Sequence, residues 1–182
     1  KTWVGDDPAK RPASIIVILL QNGTEVKRQE VQPNEDGKWT YDFGRWPVYD
    51  DSGRAYTYTV QEEPVDDYGT QVNGYDIVNG QGGLTVTKQV YSGDKTREFR
   101  FTVTLSDKTV NGTYGDMTFI DGVAEFTLKD GESKTAEGLP SGVGYTVTEA
   151  RVDGYGTRVE GHNPGMVPFG GTAEVLVINY DN

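Results

Sequence analysis

The sequence contains no cysteine and only one histidine, His162. No disulfide can therefore stabilise the fold. A metal-binding histidine cluster cannot be built from one histidine, and His162 has no evident catalytic partner. No apolar run approaches the roughly 20 residues needed to span a bilayer, and there is no N-terminal signal pattern. Lysine and arginine form no cluster and the formal net charge is −11, which argues against nucleic acid and anionic membranes as partners.

Long helix-forming stretches are also missing, whereas glycine (24 residues) and tyrosine (11 residues) are frequent. Several short segments alternate apolar and polar residues, as strands with one buried face do. These segments are 14–20, 39–43, 56–60, 99–105 and 174–178. Turn signals rich in glycine, asparagine and aspartate separate them at 21–23, 35–37, 51–53, 129–131 and 140–142. This spacing predicts an all-β fold of the sandwich type.

One stretch of sequence occurs twice. Residues 58–72 read YTVQEEPVDDYGTQV, and residues 145–159 read YTVTEARVDGYGTRV, 87 positions later. An offset of that length suits a small domain rather than a solenoid repeat. We therefore predict two tandem Ig-like β-sandwich domains, 1–80 and 84–182, joined by a short glycine-rich linker at 81–83. The abrupt, strand-like ends suggest a piece of a longer protein.

The same offset relates a lysine and a glutamate in each half. Lys1 corresponds to Lys88, and Glu62 corresponds to Glu149, so the lysine-to-glutamate spacing is 61 in both halves. Each lysine lies at a predicted first strand, and each glutamate follows a predicted central strand. Read alone, a lysine near a strand start or a glutamate after a strand is usually a solvated surface charge. The ordered recurrence of the set is what indicates a site.

Each half also ends in an apolar strand that closes on asparagine, Asn79 in the first and Asn179 in the second. An isolated asparagine in this position is usually a turn former. The offset between the two asparagines is 100, so the second half contains 13 additional residues. The Gly/Pro-rich segment 162–171 is the predicted insertion.

The glutamate of the first half has a neighbour that competes for the role, Glu63. Glu62 is preferred because strand parity places it on the same face as Tyr58 and Val60. The second half supports this choice, because Ala150 occupies the position that corresponds to Glu63.

Residues 1–79 resemble the B-type repeat domain of collagen adhesins from Gram-positive bacteria. The matching stretches are Lys1-x-Trp3, Arg11-Pro12, Trp39-x-Tyr-x-Phe43, Tyr58-Thr-Val-x-Glu62 and Ile77-Val-Asn79. Residues 84–179 resemble the isopeptide-bonded domains of streptococcal-type pilin subunits. The matching stretches are Leu84-Thr-Val-Thr-Lys88, Thr127-Leu-Lys-Asp-Gly131, Ala136-Glu-Gly-Leu-Pro140, Tyr145-Thr-Val-Thr-Glu149 and Val177-Ile-Asn179.

The resemblance implies a CnaB-like sandwich in each half, with a spontaneous isopeptide bond between its first and last strands. The bonds implied are Lys1–Asn79, promoted by Glu62, and Lys88–Asn179, promoted by Glu149. Elementary chemistry agrees, because burial favours the neutral form of a lysine amine and the protonated form of a carboxyl. We expect the protonated glutamate to donate a hydrogen bond to the asparagine carbonyl and to pass the proton of the amine to the leaving ammonia.

These features predict a structural stalk or shaft segment of a cell-wall-anchored adhesin or pilin, located outside the cell. It would be no enzyme beyond one self-directed turnover, would need no cofactor or metal, and would have neighbouring domains of the same protein as partners. The alternatives are a module that binds host matrix protein or glycan, with Trp46 or 162–171 exposed, and a sandwich appended to a secreted enzyme. Acidic turns at 5–7 and 111–116 match no strong calcium motif.

Overall fold

The computed structural model describes residues 1–182, and strands make up most of it. The first half contains five complete strands and the start of a sixth, and a single 3-10 turn at Pro8–Lys10. The strands are β1 (Thr2–Val4), β2 (Ile15–Gln21), β3 (Thr24–Val31), β4 (Tyr58–Glu62), β5 (Gly69–Asn73), β6 (Asp76–Val90), β7 (Phe99–Leu105), β8 (Gly112–Tyr114), β9 (Met117–Phe119), β10 (Val123–Leu128), β11 (Ser133–Pro140), β12 (Gly144–Glu149), β13 (Tyr155–Glu160), β14 (Gly165–Met166) and β15 (Thr172–Asp181). The structure contains no helix long and apolar enough to cross a membrane.

Each half has two facing sheets around its own apolar core, and the second half has an additional two-stranded sheet, β8-β9. In the first half, β1 and β5 flank the start of β6, and a second sheet has the order β3-β2-β4. In the second half, β11 and β15 flank the rest of β6, with β13 beyond β15, and the facing sheet has the order β10-β7-β12-β14. The two cores contain 8 and 19 buried apolar residues, respectively. The all-β sandwich prediction is therefore confirmed.

The strands at the predicted crosslinks are parallel neighbours: Lys1 directly precedes β1, Asn79 and Lys88 lie on β6, and Asn179 lies on β15. Strand β1 pairs with β6, with Trp3 opposite Asn79. Strand β6 in turn pairs with β15, with Asn179 opposite Val90. Parallel neighbours lie about 4.8 Å apart, so side chains from the two strands can meet within one face of the sheet.

The predicted linker at 81–83 is not a linker in the structure. These residues belong to β6, a strand of 15 residues that closes the first half and opens the second without a break. Glycine-rich sequence is typical of flexible linkers, but here the glycines make room for close packing. A side-chain carbon at Gly82 would lie 2.3 Å from the carbonyl oxygen of Pro168, and one at Gly80 would lie 2.5 Å from the Phe169 ring.

The predicted insertion, 162–171, supplies the residues that cover this junction. It contains the short strand β14 and the buried Val167. The Gly170 amide donates to the carbonyl of Gln81 at 3.0 Å, and the Ser141 hydroxyl donates to the carbonyl of Pro168 at 2.8 Å. Across the junction, the Tyr114 hydroxyl donates to Asp67 Oδ1 at 2.6 Å. The two halves are thus in direct polar contact.

The buried positions of β6 switch from odd-numbered to even-numbered residues at the glycines. Before them, the odd-numbered Ile77 and Asn79 are buried, whereas after them the even-numbered Leu84, Val86 and Lys88 are buried. Because successive residues of a strand point to opposite faces, the two halves bury opposite faces of one strand.

One predicted strand of the first half is absent from the structure, and another is shorter than predicted. The segment 39–43 forms no strand, since Trp39 makes only one bridge, to Pro33. Residues 56–57 lie outside β4. The alternation in 39–43 arises because Trp39, Tyr41 and Phe43 pack on the first core, although their backbone has no continuous partner.

Candidate functional site

The second half places Lys88, Glu149 and Asn179 in direct contact. Lys88 lies on β6 and Asn179 on β15, and both are buried, with 0% and 1% of their surface exposed. The Lys88 Nζ donates to Asn179 Oδ1 and lies 2.9 Å from Glu149 Oε2. The Asn179 amide nitrogen, Nδ2, donates to Glu149 Oε1 at 2.8 Å. One carboxylate therefore contacts both the amine and the side-chain amide.

The strand register explains this convergence. Lys88 is opposite Val177 on β15, two residues before Asn179, so both side chains project to the same face. Glu149 is the last residue of β12 in the facing sheet and reaches the site from across the core. The Phe99 ring lies beneath the amine, with its centroid 4.2 Å from Lys88 Nζ.

The first half groups Lys1, Glu62 and Asn79 in a similar way, except that the Lys1 amine makes no hydrogen bond to Asn79. None of the three side chains is exposed to solvent. The Lys1 Nζ lies 3.9 Å from Glu62 Oε2 and donates to the carbonyl of Thr2 at 3.0 Å. The Asn79 Nδ2 donates to Glu62 Oε1 at 2.6 Å. The amine also sits 3.6 Å from the centroid of the Trp3 ring.

Burial shifts the pKa values of Lys1, Lys88 and Glu62 towards the uncharged forms. It lowers the pKa of Lys1 to about 8, assisted by Arg11 and opposed by the charge of Glu62. It raises the pKa of Glu62, against the hydrogen bond that Asn79 donates. It also lowers the pKa of Lys88, against the hydrogen bond and charge of Glu149. A neutral amine is the form of lysine that attacks a carbonyl carbon.

The orientation of the glutamates differs from the sequence prediction. We expected each to donate to the asparagine carbonyl, but each accepts a hydrogen bond from the asparagine nitrogen instead. The Asn79 carbonyl oxygen is buried without a hydrogen-bond partner, and that of Asn179 accepts from Lys88. The reason is geometric, because the glutamate crosses from the facing sheet and meets the amide from its nitrogen side. The carboxylate is thus placed next to the group that would leave.

Other glutamate and tryptophan residues near the first site make contacts of their own. Glu63 pairs with Arg28 and is 44% exposed, whereas Glu62 faces the site. Trp3 and Trp39 pack edge to face with ring centroids 5.2 Å apart, and both are buried.

Trp46 is half-buried rather than an exposed platform. It lines an open cleft of about 460 Å³ formed mainly by aromatic and aliphatic residues: Leu19, Tyr41, Asp42, Phe43, Gly44, Trp46, Val48, Tyr56, Tyr58 and Tyr75. Several polar groups of this cleft already form hydrogen bonds within the protein. The Trp46 ring nitrogen donates to the Phe43 carbonyl at 3.1 Å, and the Tyr58 hydroxyl donates to the Pro47 carbonyl at 2.5 Å.

The acidic turn at 5–7 and the lone histidine contribute no ligand cluster. Asp6 accepts two hydrogen bonds from Arg11 and one from Tyr68, and Asp7 accepts from the Ala9 amide. His162 is exposed, and only its backbone carbonyl makes a contact, from the Tyr145 hydroxyl at 2.7 Å.

Two threonines that were not among the predicted site residues also contact the asparagines. The Asn79 Nδ2 donates to Thr70 Oγ1 at 3.0 Å, and the Asn179 Nδ2 donates to Thr157 Oγ1 at 3.5 Å. A signal was present, because both threonines belong to the Tyr-Gly-Thr element of the 87-residue repeat.

Comparison with known proteins identifies relatives for both halves. Residues 1–80 match the Cna protein B-type domain, and residues 82–180 match a domain of unknown function, DUF7601. The chain is 32% identical over 177 residues, 91% of its length, to a collagen adhesin of Staphylococcus aureus. It is 44% identical over 89 residues, 44% of its length, to the pilus tip adhesin Cpa of Streptococcus pyogenes.

The chain spans only a small part of these curated relatives, 14% of the collagen adhesin and 13% of Cpa. Among solved structures, the major pilin T-13 of Streptococcus pyogenes superimposes over 100% of this chain and 95% of its own, with a TM-score of 0.55 and 16% identity, which shows a shared fold. Through residues 82–180, more than half of its length, the chain belongs to the DUF7601 domain family, and residues 1–80 match the model of the Cna protein B-type domain.

Proposed function

We propose that this chain is a shaft segment of a cell-surface adhesin or pilin, and that each half closes a Lys–Asn isopeptide bond. The observation that carries the proposal is the contact of Lys88 with both Asn179 and Glu149 inside a closed apolar core. An unpaired buried lysine would be costly to a small domain. A buried lysine amine beside a side-chain amide and a carboxyl that can carry a proton is the arrangement that formation of an isopeptide bond requires.

The reaction balances with the atoms present. The neutral Lys88 amine attacks Cγ of Asn179, and a proton of the amine passes to Glu149 Oε2. The carboxyl, which holds a proton on Oε1 at the start, gives that proton to Nδ2, the Cγ–Nδ2 bond breaks, and one ammonia leaves. The product is a secondary amide, and Glu149 regains its starting state. Lys1, Asn79 and Glu62 follow the same steps. Holding the amine and the carbonyl together can remove about 7–11 kcal/mol from the barrier.

The topology supports a mechanical role for the proposed bonds. Tension entering before Lys1 would cross to Asn79, run along β6 to Lys88, and cross to Asn179. Only the part of β6 between Asn79 and Lys88 and the end of β15 after Asn179 would then carry the tension. The rest of both sandwiches would be outside the path.

The relatives support an extracellular setting. They are named as adhesins and pilins, and the chain covers short pieces of them. A segment of that kind has neighbouring domains of the same surface protein as its immediate partners. We propose no enzymatic activity towards other molecules.

Intact mass of the purified full chain tests the proposal. We expect the mass to fall below the calculated value by two ammonias, and peptide mapping to join Lys1 to Asn79 and Lys88 to Asn179. The variants Asn79→Ala and Asn179→Ala should each lose only one ammonia, from the untouched half. A wild-type chain of full calculated mass would overturn the proposal.

A second candidate function is a module that binds host matrix protein or glycan. The aromatic cleft beside Trp46 favours it, because Val48 and Tyr75 are 63% and 57% exposed there. Screening the chain against matrix-protein and glycan arrays, with Trp46→Ala as the comparison, tests this candidate. Binding that is lost in Trp46→Ala would support it.

A further inference from the structure

The Tyr-Gly-Thr element of the repeat has no role in the reaction as described so far. It opens β5 at Gly69–Thr70 and β13 at Tyr155–Thr157. Its threonine faces the crosslinking asparagine in each half, since Thr70 is the cross-strand partner of Asn79. Thr157 is likewise the partner of Asn179. Directly opposed residues project to the same face of a sheet, so the register forces hydroxyl and amide together.

We propose that Thr70 and Thr157 position the leaving nitrogen of the asparagine during isopeptide formation. This inference rests on the proposed function. Each hydroxyl oxygen accepts a hydrogen bond from Nδ2, the atom that departs as ammonia. In the first half, the Thr70 hydroxyl also donates to Glu62 Oε1 at 3.3 Å, which completes a ring of three hydrogen bonds with Asn79.

This contact holds the amide in the orientation that the reaction needs. With Nδ2 directed at the threonine and the glutamate, the carbonyl carbon stays open to the lysine. The threonines are exposed, whereas the lysine and asparagine side chains are buried. The hydroxyl thus marks the solvent side of the site, where ammonia must leave.

The hydrogen bond should strengthen as the reaction proceeds. Nδ2 begins as a neutral amide nitrogen and gains a proton and positive character as it leaves. Hydrogen bonds to charged groups are about twice as strong as neutral ones. An interaction that strengthens in the transition state accelerates the reaction. We expect loss of the hydroxyl to slow bond formation about tenfold at Thr70, and less at Thr157, where the contact is longer.

The test follows crosslink formation in the full chain. Chains from a short cell-free synthesis are collected in denaturant and diluted into folding buffer, and samples are quenched in acid for intact mass. The variants are Thr70→Val and Thr70→Ser, with Thr157→Val and Thr157→Ser in the second half. Thr59→Val and Thr146→Val serve as controls, because these exposed threonines occupy corresponding strand positions 87 residues apart. The untouched half of every variant is an internal reference for folding.

Valine and serine separate a chemical role from a structural one. Valine suits a strand better than serine does, so a role in strand stability alone predicts the serine variant to be slower. A role for the hydroxyl predicts the reverse: serine near the wild-type rate, and valine about tenfold slower. If Thr70→Val forms its bond as fast as Thr59→Val while wild type loses two ammonias, the threonine inference fails alone. If wild type loses none, the proposed function fails and the inference with it.

Discussion

Replacing Glu62 with glutamine should convert the first half from an inextensible unit into one that unfolds under tension. Glutamine fills the same space but cannot take a proton from the Lys1 amine, so the first crosslink should not form. Lys1 and Asn79 are 78 positions apart and lie at neighbouring strands in the folded half. Unfolding of an open first half should therefore lengthen the chain by about 260–280 Å at 3.3–3.6 Å per residue.

Single-molecule force spectroscopy, with handles fused to both ends, measures this length directly. The unmodified chain should give no unfolding step, and Glu62→Gln should give the single step of about 260–280 Å. Glu63→Gln is the matched control, because Glu63 is adjacent but points to Arg28. It should behave as the unmodified chain does. An unmodified chain that lengthens by such a step, or a Glu62→Gln chain that does not, would refute the reasoning.

Three further predictions concern the second half, the pH dependence and the junction. Glu149→Gln should prevent the second crosslink and so leave open a loop of 91 residues. The free energy of unfolding should then fall by about 4–5 kcal/mol and the melting temperature by about 20–30 °C. An unchanged unfolding transition in calorimetry would contradict this prediction. Burial brings the pKa of Lys1 to about 8 and raises that of Glu62. The reactive state, a neutral Lys1 amine beside a protonated Glu62 carboxyl, holds the same number of protons as the Lys1–Glu62 ion pair. The rate of the first crosslink should therefore fall above about pH 8, where the pair loses its shared proton. The rate should also fall at acid pH, where the pair binds a second proton. A rate that keeps rising beyond pH 9, in timed mass measurements, would count against Glu62 as the proton carrier. Gly82→Ala should displace segment 162–171 from the junction, because the new side-chain carbon would lie 2.3 Å from the Pro168 carbonyl oxygen. Small-angle scattering should then report a longer particle with both crosslinks intact. Gly144→Ala is the control and should leave the particle unchanged, because its new carbon would lie no closer than 3.4 Å to any neighbour.

The grouping of the site residues could be predicted from the sequence because the two halves of the chain can be compared with each other. Two copies at one offset placed Lys1, Glu62 and Asn79 in the same order as their counterparts in the second half. Parity within one strand was enough to choose Glu62 over Glu63, since the buried face of β4 is a local property. Both judgements needed only the spacing of residues along the chain.

The remaining features depend on contacts that spacing does not encode. The stretch Gly80–Gly83 has the composition of a linker, and the close packing of other residues against it, among them Ala136, Pro168, Phe169 and Thr172, accounts for glycine in a strand. The hydrogen bonds of Glu62 and Glu149 to the asparagine nitrogens depend on the angle at which the facing sheet approaches. The threonine contacts depend on the register of β5 and β13, which the repeat contained but strand pairing had to reveal.

The strand conformation of 81–83 bears directly on the proposed mechanical role. Asn79 and Lys88 are nine residues apart, so a strand between them spans about 30 Å, against about 32 Å at full extension. A flexible glycine-rich linker of that length would average about 15–18 Å and would nearly double in length under tension. With both crosslinks formed, the segment between them can therefore lengthen by only about an eighth of what the flexible linker would allow. The glycines that suggested flexibility in the sequence are, in the folded chain, what permits the close packing that keeps this segment straight.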